Sequence, residues 1–69
     1  MENMMALQRD EATSYEVYRR LSQVEKGPAN RDVLLRIAAD EKRHYALLRT
    51  RTGRDVRPAR GKVWFYVLL

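Results

Sequence analysis

The sequence predicts an all-α protein built on an antiparallel helical hairpin, and three observations predict it. Apolar and aromatic side chains recur at intervals of three and four along two long segments, the signature of one helix face each. Gly27-Pro28 falls between those segments and leaves a linker of only a few residues, too short for anything but antiparallel neighbours. Gly53 then closes the second segment, and a basic loop follows it.

The first helix is expected over residues 3–26. Its face is Met4, Leu7, Glu11, Tyr15, Tyr18 and Leu21. Glycine suits the left-handed position after a helix and proline cannot continue one, so Gly27-Pro28 is its expected stop. The second helix is expected over 30–52, with Asn30 as N-cap and Asp32 in the first turn, where negative charge suits the helix dipole. Its stripe is Leu34, Ile37, Ala38, Glu41, His44, Tyr45 and Leu48, with Arg49 and Arg51 in the last turn. Residues 53–61 read as a basic loop punctuated by Pro58 and Gly61. Residues 62–69, "KVWFYVLL", read as the start of a third helix. Such an apolar segment ends in solvent unless something covers it, so the expectation is an even-numbered oligomer or a longer chain.

The whole is read as a single domain, 1–69, and a partial one. At 69 residues a lone core is marginal, and small chains usually need disulfides, a metal or a partner. The sequence holds no cysteine, which excludes disulfide bridges and zinc-thiolate staples and fits a reducing compartment. Hydrophobic residues at 45% and charged residues at 33% place the chain among globular rather than disordered proteins. The net charge of +5 favours solubility first and acidic partners second. The start, "MENMMALQRDE", has no signal-peptide pattern, and the apolar run "VWFYVLL" is too short to span a bilayer.

Function is suggested by the polar residues on the apolar stripes. Glu11 lies mid-stripe on the first helix; Glu41 and His44 lie mid-stripe on the second. A carboxylate buried without a partner is costly, and a bound cation neutralises it directly. Residues three apart on a helix project side by side, so Glu41 and His44 can grip one ion, and the midpoints of an antiparallel hairpin meet, which brings Glu11 to them. Carboxylate with imidazole suits iron or manganese. The plainer reading makes His44 a boundary histidine and pairs the glutamates with arginines. Tyr15, Tyr18 and Tyr45 flank the three; packing explains each singly, and hydrogen bonding that orients the carboxylates is their functional reading. Most helical arginines fall off the stripes, and Arg54, Arg57, Arg60 and Lys62 cluster in the loop. No nucleic-acid motif accompanies them, so nucleic acid is not an expected partner.

Glu11 on one helix and Glu41-x-x-His44 on the next resemble the ferritin-like, rubrerythrin-type di-iron proteins. The segments "LQRDEATSYEVYRRL", "VLLRIAADEKRHY" and "TGRDVRPARGKVWFY", taken in order, are similar to the N-terminal ferritin-like domain of vacuolar-iron-transporter-type membrane proteins. The resemblance implies half of a four-helix bundle, completed by dimerisation or by C-terminal helices that this sequence lacks. It implies that Glu41 bridges two metals and that Glu11 and His44 are terminal ligands, with no catalytic residue apart from these. It implies iron as a di-iron centre, with manganese or zinc as substitutes, and ferroxidase or rubrerythrin-like peroxide-reducing chemistry. A homodimer and a membrane iron-transport domain in a longer protein are the implied partners, in the cytoplasm or at the cytoplasmic membrane face. The competing reading is a metal-free dimerisation or interaction module that docks through its stripes, Trp64-Phe65-Tyr66 and the basic loop.

Overall fold

Capping decides where each helix begins and ends. In the computed structural model, which describes residues 3–68, Asn3 opens α1 (Met4–Val24) by accepting the N–H groups of Met5 at 3.0 Å and Ala6 at 3.2 Å. The helix ends at Glu25, which is already extended. The Glu25 side chain receives the Gly27 N–H at 3.0 Å, and its carbonyl receives the Arg31 guanidinium at 2.9 Å and 3.2 Å.

The linker corrects two expectations. Gly27 is not left-handed: at φ −78° and ψ 122° it is extended, and it serves as the N-cap of α2 (Pro28–Thr52). Asn30 therefore lies inside the helix and Asp32 beyond its first turn, which carries no acid. Pro28 takes the first helical position because its fixed φ suits it and its missing N–H costs nothing there. The stop at the other end is as expected. Gly53 is left-handed at φ 68° and donates its N–H to the Arg49 carbonyl at 2.8 Å, with Arg49 and Arg51 in the last turn. The third helix, α3 (Arg60–Leu68), starts two residues before the expected Lys62; Leu69 lies outside the described residues.

Cross-helix pairs prove the antiparallel hairpin. Numbers rise along α1 as they fall along α2: Gln8 meets Thr52, Glu11 meets His44, Tyr15 meets Lys42, and Glu25 meets Arg31. The long axis of 39 Å matches a 25-residue helix, about 38 Å at 1.5 Å per residue. α3 packs on α1 and not on α2, so α1 is the middle element. No described helix is long and apolar enough to cross a membrane.

The stripe read on α2 is the face that α2 turns inward, with Ala38 fully buried and Leu34, Ile37, Glu41, Tyr45 and Leu48 half-buried; only His44 among them is exposed. On α1 the expected stripe is half-buried, and the most buried positions are Gln8, Ala12, Thr13, Val17 and Ser22. The reason is that α1 has two neighbours, and small residues let the loop and α3 approach closely. The buried apolar residues are all modest in size: Ala12, Val17, Ala38, Val56 and Val63.

The loop from Gly53 to Ala59 is tied down by named groups. Gln8, with no exposed surface, donates to the Arg54 carbonyl at 2.6 Å and accepts from the Thr52 hydroxyl at 2.7 Å. The Tyr45 hydroxyl accepts the Val56 N–H at 2.8 Å, and Thr13 Oγ1 accepts the Ala59 N–H at 2.9 Å. Arg49 pairs with Asp55 and holds that carboxyl below its usual range.

Gln8→Ala removes the two short contacts at 2.6 and 2.7 Å and leaves the Arg54 carbonyl and the Thr52 hydroxyl only the longer 3.4 Å contact with each other, so it should cost about 1–3 kcal/mol. Thermal unfolding followed by circular dichroism should show a Tm lower by roughly 4–8 °C per kcal/mol. A melt unchanged from wild type would mean that the loop is held without Gln8.

Candidate metal centre

The hairpin register brings Glu11, Glu41 and His44 together. Glu11 stands on α1, one turn past Gln8; Glu41 and His44 stand on α2, adjacent because they are three apart. Each offers one donor atom, and the three atoms lie within 4.8 Å of one another. His44 Nδ1 is 3.5 Å from Glu11 Oε2 and 3.6 Å from Glu41 Oε1. These distances exceed a hydrogen bond. They are close to the separation of about 3.4 Å between two donors of a tetrahedral ion with bonds near 2.1 Å.

Electrostatics single out Glu11. Its Oε2 is shielded from solvent and has no hydrogen-bond partner among the described residues. Desolvation, followed by the neighbouring Glu41 carboxylate, raises the Glu11 carboxyl above its ordinary 4.5; His44 pulls the other way. Two carboxylates facing each other across a helix pair want a positive charge between them. A protonated His44 supplies one, and a divalent cation supplies more at the same place. The donor set of two oxygens and one imidazole nitrogen fits a transition metal of the iron, manganese or zinc kind. The site is open on one side: the His44 side chain is 55% exposed, against 25% for Glu11 and 21% for Glu41. A single chain therefore offers three ligands and leaves positions for others.

The three tyrosines expected to flank this group have their contacts elsewhere. The Tyr45 hydroxyl is taken by the Val56 N–H. The Tyr15 ring lies under the Lys42 ammonium at 6.0 Å. Tyr18 lines a groove with Val17, Leu21 and Tyr66. Among the described residues no hydrogen bond links these tyrosines to the three candidate ligands. Among the described residues no arginine pairs with the glutamates of this cluster; Arg43 pairs with Asp40 instead.

Gln8 and Thr13 escaped the reading of the sequence, although they hold the loop against α1. A polar residue next to an apolar stripe reads as surface. The available signal was the set of small and polar residues, Gln8, Ala12, Thr13 and Val17, lying beside the apolar stripe of α1 rather than on it. Compared with protein-family models, curated proteins and solved structures, the chain finds no match.

The sign of the Glu11 shift sets a pH dependence. A carboxyl raised by folding favours the fold when protonated, so that contribution is full below 4.5 and is lost as pH rises through the higher folded value. Glu11→Gln removes the ionised form. Freed of metal by chelation, this variant should melt higher than wild type at neutral pH, with no advantage below 4.5. Melting curves at several pH values check this; a lower Tm at neutral pH would show that pairing with His44 outweighs burial.

Proposed function

We propose that the chain binds iron through Glu11, Glu41 and His44, and that two copies pair to build a di-iron centre with ferroxidase or peroxide-reducing activity. The observation that carries this reading is the convergence of three donors from two helices around the unpartnered, shielded Oε2 of Glu11. Electron transfer from bound ferrous iron to oxygen or peroxide is the chemistry such a centre supplies. The protein's own part is simpler. Glu11 and Glu41 balance the charge of the ion. His44 adds a neutral donor at the open edge. The half-buried setting strengthens each of these interactions over its value in water.

Pairing of two chains is supported by what α2 leaves uncovered. Val33 and Leu47, 51% and 66% exposed, lie along one edge of that helix with half-buried Ile37 and the exposed Asp40 and His44. Apolar side chains on both sides of an exposed ligand suit a second hairpin laid against this edge. A two-fold axis there brings a second set of the same three ligands opposite the first. It also enlarges a core whose buried apolar residues are small.

Native mass spectrometry under anaerobic conditions tests both halves at once. The expected result is an even-numbered oligomer that takes up about one iron per chain, two for each pair of Glu-x-x-His motifs. Glu41→Ala or His44→Ala should abolish stoichiometric uptake and leave the helical circular dichroism intact. Should the substituted protein bind iron as the wild type does, the metal reading fails. A stable dimer indifferent to iron, made more stable by apolar residues at positions 11 and 41, would establish an interaction module instead.

A further inference from the structure

We propose that the cleft between the second half of α1, the loop and the start of α3 binds a small phosphate-bearing anion. This lies on the face of α1 away from the carboxylate cluster and does not rest on metal binding.

The cleft has a volume of about 510 Å³, within the range of small-molecule sites. Four arginines line it from three segments: Arg19 and Arg20 from α1, Arg57 from the loop and Arg60 from the first position of α3. One acid, Glu16, stands among them, and its charge is already met by Arg19 at 3.1 Å and Arg20 at 3.5 Å. The lining is thus cationic by a margin of three charges. Arg20 also lies 4.8 Å from the centre of the Trp64 ring, a cation–π contact that holds its guanidinium in place. Its Nε is shielded from solvent, and the 3.5 Å ion contact with Glu16 falls short of a hydrogen bond.

Like charges converge here at a cost, and an anion relieves it. Guanidinium groups match phosphate best because their paired N–H groups meet two oxygens at once. The start of α3 points the same way, since the first N–H groups of a helix have no partner within it and carry its positive end. The cleft is also set in advance. Thr13 holds the Ala59 N–H at 2.9 Å, and the Arg9 guanidinium reaches the Arg57 carbonyl at 3.4 Å, so the loop that carries Arg57 is anchored on α1. An anchored site spends less of its binding energy on ordering itself. A cleft of this volume, with its charge gathered at one place, fits a phosphate or pyrophosphate group rather than the extended backbone of a nucleic acid, which calls for a stripe of charge.

Trp64 is the single tryptophan and lines the cleft, so its fluorescence reports directly. Metal-stripped protein, dialysed free of chelator, is titrated with inorganic phosphate and with pyrophosphate at constant ionic strength. The expected result is a saturable change, with pyrophosphate tighter than phosphate and one equivalent bound by calorimetry. The pair Arg57→Glu and Arg60→Glu should weaken pyrophosphate by at least about tenfold with circular dichroism unchanged. The pair Lys26→Glu and Arg36→Glu makes the same charge change away from the cleft and should stay within about twofold of wild type. If the first pair fails to fold, Arg60→Ala at the exposed start of α3 should still weaken binding by about threefold or more. An equal loss in both charge-reversed pairs, a response no greater than that to added chloride, or binding of a single-stranded oligonucleotide with no saturable response to pyrophosphate would each overturn the proposal.

Discussion

The Gln8 side chain is the contact on which the rest of the molecule depends. It has no exposed surface, and its amide group joins the end of α2 to the loop beyond it. A buried amide is tolerable only when its donor and acceptor are both used, and here both are. That requirement makes the contact specific in a way that apolar packing is not. It pins one end of the hairpin, while the Glu25 carbonyl and Arg31 pin the other. Between these two ends the register of α1 against α2 is settled, and with it the meeting of Glu11 with Glu41 and His44. The same contact turns the chain back across α1 so that α3 can pack on its far side.

With α1 in the middle, its two faces carry opposite charge. Toward α2 it contributes Glu11 to a cluster with Glu41, where negative charge is concentrated and partly desolvated. Toward the loop and α3 it contributes Arg19 and Arg20 to a cleft where positive charge is concentrated. A net charge of +5 says nothing of this separation. One helix thus keeps an acidic cluster and a basic cleft on separate faces.

The apolar side chains divide less evenly. Those buried are small, while Val33, Leu35, Leu47, Trp64, Phe65, Tyr66 and Leu68 stand largely exposed. Burial of large apolar side chains is the principal source of stability in a small domain, and most of that source is unused within one chain. Polar contacts therefore do more of the work of defining this fold than is usual. The loop shows it best: Thr13, Tyr45 and Gln8 hold a segment that has Val56 as its one buried apolar side chain.

Much of the fold was legible in the sequence because it depends on local rules. Spacing of three and four marked both long helices and the inward face of α2, and Gly53 marked a left-handed stop that few other residues adopt. Glu11, Glu41 and His44 stood out because charge on an apolar stripe is expensive. What the sequence misled on was also local: Gly27 and Asn30 compete for the same cap, and Pro28 decides it by taking the first helical position. The anchoring of the loop could not be read, and of the basic cleft only Arg57 and Arg60, in the loop cluster, were visible. The anchor and the cleft depend on Gln8 meeting Arg54 and on Arg20 meeting Trp64, contacts between residues more than forty apart; the hairpin brings the first pair together and the packing of α3 on α1 the second.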